Sequence, residues 1–207
     1  MYFLIISILL FVTLLLLAVL IGFIFFAIDS FFELPFIPAK KSKVPTIIKL
    51  AQIKPGDTVI DLGSGDGRLL FAAAKLGARA IGYELNPYLV TFTKIKAKVL
   101  KYSSSDHVQS YERDSREVSS SDSSRQARTI NNRGSITVHR SDLWKAKLRS
   151  ADVIFVYGRQ GTMPKFQDFI YKNAKKGTRV VVNTDLTKPF PTKKPVKVEN
   201  EVYLYKM

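Results

Sequence analysis

Cysteine is absent from this chain of 207 residues. Disulfides and thiolate metal sites are therefore excluded. Imidazole is scarce as well, with His107 and His139 the only histidines, so a histidine-rich metal site is not expected. Acid is outnumbered by base, 17 Asp and Glu against 32 Lys and Arg, for a formal charge of +15. That balance suits an anionic partner, either nucleic acid or an anionic lipid surface. No arginine cluster interleaved with aromatics accompanies it, so the nucleic-acid signal is weak. A solvated, lysine-studded surface accounts for the charge equally well.

Charge is missing altogether from Tyr2 to Ile28, where Leu, Ile, Phe and Val dominate. As a helix this run would be roughly 40 Å long at about 1.5 Å per residue. That exceeds a hydrocarbon core of roughly 30 Å, so the segment can span a bilayer with some tilt. A signal peptide should open with a basic region and close on small residues, and neither feature is present. Lys40, Lys41, Lys43, Lys49 and Lys54 all follow the run and none precedes it. The positive-inside tendency then predicts a single-pass membrane protein whose carboxy-terminal domain is cytoplasmic. Pro35 and Pro38 predict a stiff connector. The chain thus divides into a transmembrane anchor at 1–29, a juxtamembrane connector at 30–43 and an α/β domain at 44–207.

Within that domain short apolar runs alternate with helical patterns. Strands are predicted at 57–62, 78–84, 135–140, 151–157 and 178–183, and helices at 44–53, 68–75, from Asn86 to about Lys101, and from Pro164 toward Lys175. Asn86 can cap its helix, with Pro87 in the first turn. The last residues, PVKVENEVYLYKM, predict a hairpin turning near Glu199–Asn200. Alternation of this kind predicts a mostly parallel sheet with an antiparallel hairpin at one edge. Residues 102–134 break the rhythm: they are serine-rich, carry five acids and five arginines, and have almost no apolar residue. A disordered insertion is expected there.

The most informative words are VIDLGSGDG at 59–67 and IGYELNP at 81–87. A glycine-rich strand-to-helix turn lets backbone N–H groups come close to a ligand. The dinucleotide fingerprint requires a third glycine where Arg68 stands, and no Gly-Lys-Ser/Thr follows to make a P-loop. The pattern D-L-G-S-G-D-G instead resembles motif I of the class I S-adenosylmethionine-dependent methyltransferases. The resemblance implies a Rossmann-like class I methyltransferase sheet, here preceded by one transmembrane helix. Gly63, Ser64, Gly65 and Gly67 match the cofactor turn, and Asp61 matches the residue that orients the methionine amino group. Glu84 matches the acid that holds the ribose hydroxyls, followed by Leu85 and Asn86. Asp142 and Leu143 match the adenine-edge position, and Tyr157 lies where such enzymes meet their substrate.

The words DLGSGDGRLLFAAA, GYELNPYLV and SDLWK, with the single span and the P-F-I-P connector, are similar to the membrane-anchored protein-lysine methyltransferases. Those enzymes act on the ATP synthase c-subunit and the adenine nucleotide translocase. The resemblance implies S-adenosyl-L-methionine as cofactor, a protein substrate with an accessible lysine, and the bilayer as partner through residues 2–28. Alternatives are N-methylation of a phospholipid or small molecule, methylation of RNA, and a non-catalytic cofactor-binding protein. The Asn/Asp-Pro-Pro-aromatic motif of many amino-methylating nucleic-acid enzymes is absent after 151–157, where the chain reads VYGRQG.

Overall fold

Alternation of strand and helix in the sequence becomes a seven-stranded sheet in the computed structural model, which describes residues 2–31, 41–102 and 134–207. The chain forms two compact units, Met1–Ile37 and Pro38–Met207. In the first, α1 runs from Tyr2 to Phe31. Its segment Tyr2–Ile24 is long and apolar enough to cross a membrane, and every side chain along it is exposed.

The second unit holds α2 (Val44–Ala51), β1 (Thr58–Leu62), α3 (Arg68–Lys75), β2 (Arg79–Glu84), α4 (Pro87–Val99), β3 (Ser135–Arg140), β4 (Val153–Tyr157), α5 (Met163–Asn173), β5 (Arg179–Asn183), β6 (Lys197–Glu199) and β7 (Val202–Lys206). The sheet order is β3-β2-β1-β4-β5-β7-β6, parallel through β5 and antiparallel at β7 and β6. These bounds agree with the predicted elements to within a few residues. The hairpin turns at Asn200 and Glu201, both at positive φ, as a tight two-residue connection demands. Three short 3-10 turns, at Lys41–Lys43, Leu143–Lys145 and Leu148–Ser150, were not predicted.

Because strand side chains alternate between faces, each strand feeds two cores. Val59, Phe155, Val181 and Leu204 join Ile47 and Leu50 of α2, Leu70 and Phe71 of α3, and Val90 and Ala97 of α4. On the opposite face the Tyr205 ring meets Phe190, which meets Tyr171 of α5. Gly82 of β2 is tightly packed: a Cβ there would lie 2.5 Å from Ser64 Oγ and 2.7 Å from Leu70 Cδ1.

The expected disordered insertion lies outside the described residues except for its ends, Tyr102 and Gly134. Both ends rest on α3: Tyr102 packs edge-on against Phe71, and the Gly134 N–H donates to Ala74 O. Ser135 begins β3 directly afterward, which puts Gly134 at the amino end of that strand.

One clamp ties that amino edge together. The Arg179 guanidinium pairs with Asp57 at 2.6 Å and donates to the carbonyls of Ala51, at 2.8 Å, and Gln52. Its side chain is 17 % exposed and that of Asp57 15 %. Arg179→Met strands a carboxylate and two carbonyls, so it is expected to lower unfolding free energy by roughly 2–4 kcal/mol. Urea denaturation measures this, and adding Asp57→Asn is expected to recover part of the loss.

Candidate active site

Parallel strands end on the same side of the sheet, which brings Leu62, Glu84, Arg140, Tyr157 and Asn183 to one carboxyl edge. The turn after β1 crosses this edge with Gly63, Gly65 and Gly67 at φ of 88°, 55° and 75°. Side chains rarely accept that region, so glycine is required there. Open space remains above Gly63, where an added Cβ would come no closer than 3.9 Å to Leu143. Gly67 is pressed by α4 instead, since a Cβ would meet Thr93 Cγ2 at 2.6 Å.

Four of the five amides from Gly63 to Gly67 are engaged inside the protein. Gly63 and Ser64 N–H both donate to Tyr83 O, Gly67 N–H donates to Ser64 O, and Gly65 N–H donates to Glu84. This differs from the sequence-based expectation of N–H groups offered to a ligand. The turn contributes shape and bare Cα surface rather than a nest of donors for an anion.

Glu84 is the fixed point of the edge. Its Oε2 accepts from Gly65 N at 2.8 Å and its Oε1 from Asn86 N at 2.8 Å. Its carbonyl accepts from Ser141 N at 3.1 Å, which draws in the exit of β3. A carboxylate has about four lone-pair sites, so each oxygen keeps one for a ligand hydroxyl. Asn86 is committed to capping: its Oδ1 accepts from Tyr88 N and Leu89 N. Leu85 is exposed beside it.

Asp61 is 5 % exposed, on the strand face that carries Val59. Burial, then the nearby Glu84 and Asp66 carboxylates, pushes its carboxyl from 3.8 up to about 7. Asp66 is held differently: hydrogen bonding from Arg68, at 2.7 Å to Oδ2 and 2.9 Å to Oδ1, lowers its pKa. The two acids are thus shifted in opposite directions, Asp61 upward by burial within β1 and Asp66 downward by its guanidinium.

Asp142 and Leu143 follow β3 at the same edge. Asp142 Oδ1 accepts from Trp144 N at 3.0 Å, Leu143 is buried, and the other Asp142 oxygen stays available. Trp144 itself turns toward α5, its ring 4.7 Å from that of Phe166 and 5.6 Å from that of Phe169. Ser64 Oγ is buried against Gly82 without a hydrogen-bond partner among the described residues. Tyr157 is half-buried at the end of β4, in register with Asn183 of β5.

Asn183 escaped the sequence reading. It is 4 % exposed, and its Oδ1 has no hydrogen-bond partner among the described residues. A buried acceptor left unmet is costly, and here it stands at a strand end beside Tyr157. The only sequence signal was an amide closing the apolar run TRVVVN.

No protein-family model matches the chain. Among curated proteins it is 30% identical over 148 residues to the lysine N-methyltransferase of the ATP synthase c-subunit from Rattus norvegicus, covering 72% of this chain and 54% of that protein. It is also 30% identical over 170 residues to the adenine nucleotide translocase lysine N-methyltransferase of Mus musculus, covering 82% and 59%. The chain thus spans a little over half the length of the curated relatives it matches. Among solved structures, an RNA methyltransferase from Salinibacter ruber in complex with S-adenosyl-L-homocysteine superposes with a TM-score of 0.59 at 24% identity, over 82% of this chain and 93% of that one. The strand order, the glycine turn with acids ending two adjacent strands, and these likenesses place the chain among the class I S-adenosylmethionine-dependent methyltransferases.

Proposed function

We propose that this chain is a membrane-anchored methyltransferase that methylates a lysine amine of a membrane or membrane-associated protein. The observation that carries the reading is the buried Asp61 carboxyl near Glu84, beside a glycine turn most of whose amides are already engaged. Such a site suits a ligand bearing an ammonium and a diol but no phosphate, which is the description of S-adenosyl-L-methionine. The buried Asp61 carboxyl meets no donor among the described residues, so an ammonium is the complement that would return it to its charged form. Glu84 would take the ribose hydroxyls through its remaining lone pairs, and Asp142 and Leu143 would take the adenine. Gly63, Gly65 and Gly67 would let the ligand lie against the backbone, while Ser64 packs beneath and Leu85 and Asn86 shape the rim.

When bound, the cofactor supplies a sulfonium methyl. The protein's own task is then to present a neutral amine in line with it, because proximity and alignment supply most of such an acceleration. A free lysine amine has a pKa of about 10.4 and is charged at neutral pH. Partial desolvation favours its neutral form. Tyr157 and Asn183, at adjoining strand ends, would then serve as acceptors for the substrate amine, the Asn183 Oδ1 taking one amine hydrogen and leaving the nitrogen lone pair free.

The names of both mammalian relatives support lysine as the acceptor, and α1 supports a bilayer anchor. The lysines after that span support a cytoplasmic domain, and a tether raises effective substrate concentration at the membrane.

Membranes containing the full chain are to be incubated with tritiated S-adenosylmethionine and separated into protein, lipid and RNA. Methyl-lysine in the protein fraction, lost in Glu84→Ala, is the expected result; label in lipid or RNA would overturn the lysine assignment. Tyr157→Phe and Asn183→Leu are expected to lower kcat by roughly 10- to 100-fold with cofactor affinity unchanged.

Glu84→Ala is expected to weaken S-adenosylhomocysteine binding roughly a hundredfold, since two charge-assisted hydrogen bonds are lost. Calorimetric titration measures this, with circular dichroism to verify the fold, and unchanged affinity would remove the ribose assignment.

Asp61 gives a prediction with a definite sign. Between 3.8 and about 7 the folded apoprotein keeps a proton that the unfolded chain has released. The contribution of this group to stability is therefore lost as pH rises through that window. Relative to Asp61→Asn, the ligand-free protein is expected to lose a few kcal/mol of unfolding free energy across it. Cofactor binding near pH 6 is expected to release a proton, seen as a buffer-dependent calorimetric enthalpy that Asp61→Asn abolishes.

A further inference from the structure

Helix α4 has two apolar faces, and the sheet uses one. Val90, Thr93 and Ala97 are buried, and Thr93 reaches Gly65 O. On the outward side Phe92, Ile95 and Val99 are 52 %, 60 % and 72 % exposed. Their spacing of three and four residues stacks them in a single stripe along the helix.

Charge frames that stripe. PYLVTFTKIKAKV contains no acid. Lys94 and Lys98 fall on one flank and Lys96 on the other, with Lys101 just beyond the helix end. The Lys96 ammonium lies 5.7 Å from the Phe92 ring centroid and 4.4 Å from that of Phe71, its stem spread along apolar surface. A helix with large apolar residues on one side and lysines at its flanks is built to lie in a membrane interface plane.

We propose that the outward face of α4 docks on an anionic bilayer surface, with Phe92, Ile95 and Val99 at the headgroup–acyl boundary and the flanking lysines on lipid phosphates. The inference rests on the reading of α1 as a membrane anchor. Residues 32–40, between α1 and the 3-10 turn at Lys41–Lys43, can reach at most about 30 Å when fully extended, so the bilayer stays within range of the domain. Other occupants fit less well. Pairing with a second copy sets lysine flank against lysine flank with no acid between them. Residues 103–133 are balanced in charge and nearly devoid of apolar side chains, so they bring little to cover an apolar stripe.

Docking has a functional consequence. The first turn of α4 is capped by Asn86, whose N–H also holds Glu84. A bilayer along α4 therefore runs beside the carboxyl edge that carries the site. A target lysine at headgroup level then meets that edge without leaving the interface.

The absence of cysteine permits a clean test. Full-length Val99→Cys, Lys172→Cys and Leu14→Cys proteins are to carry one nitroxide each and be reconstituted into vesicles of phosphatidylcholine with or without phosphatidylserine. Collisions with oxygen and with a water-soluble nickel chelate are then measured. At Val99 the expected result is high oxygen and low nickel accessibility in phosphatidylserine vesicles, reverting toward water with Lys94→Glu plus Lys98→Glu. The Lys172 label, on α5 across the sheet, is expected to stay aqueous throughout. A Val99 label open to nickel in both vesicles overturns the docking. One shielded from both reagents overturns it in favour of a protein cover, and spin–spin broadening overturns it in favour of a second copy. The Leu14 label keeps the two readings apart: high oxygen accessibility there with an aqueous Val99 label rejects docking alone, whereas an aqueous Leu14 label rejects the anchor.

Discussion

The carboxylate of Glu84 is the interaction on which the rest of the edge depends. One oxygen holds the glycine turn through Gly65 N and the other holds the entry to α4 through Asn86 N. The residue's own carbonyl receives Ser141 N from the exit of β3. Three segments that share no local sequence are thereby fixed around one acid. Charge-assisted hydrogen bonds of this kind are short and directional, so the remaining lone pairs are aimed before any ligand arrives.

Around that point the site is electrostatically unusual for a glycine-rich turn. Phosphate-binding turns offer backbone N–H groups outward. Here Gly63, Ser64, Gly65 and Gly67 spend theirs on Tyr83, Glu84 and Ser64. What faces outward is carboxylate and bare Cα. Asp61 carries the cost, since burial beside Glu84 and Asp66 raises its pKa toward neutrality. Strongly perturbed acids mark candidate functional sites, and this one stands beside the glycine turn. Tight packing at Gly82 against Ser64 and Leu70 holds the turn against β2.

Much of this was legible in residue order. The run RLLFAAAK is α3 at both ends, and SITVHR is β3 at both ends. In each case period and flanking glycine agree. Asn86-Pro87 announced a helix start, and Asn86 Oδ1 caps it. The strand-end positions of Asp61, Glu84, Asp142 and Tyr157 were also readable, because strand boundaries were. Less was legible where contacts are remote. The stacking of Trp144 on Phe166 and Phe169 depends on where α5 returns. Asn183 looked like any polar strand ending.

By itself, then, the sequence determined the α/β alternation, the apolar amino-terminal run, the glycine turn and the acids that close two strands. Each of these is written in spacing and residue type over a few adjacent positions. Tertiary structure alone decided the strand order, the inward use of most of the turn's amides, the raised pKa of Asp61, the unmet acceptor on Asn183 and the outward stripe of α4. Those properties depend on which distant segments become neighbours and on how far water is excluded between them. Neither quantity exists until the chain has folded.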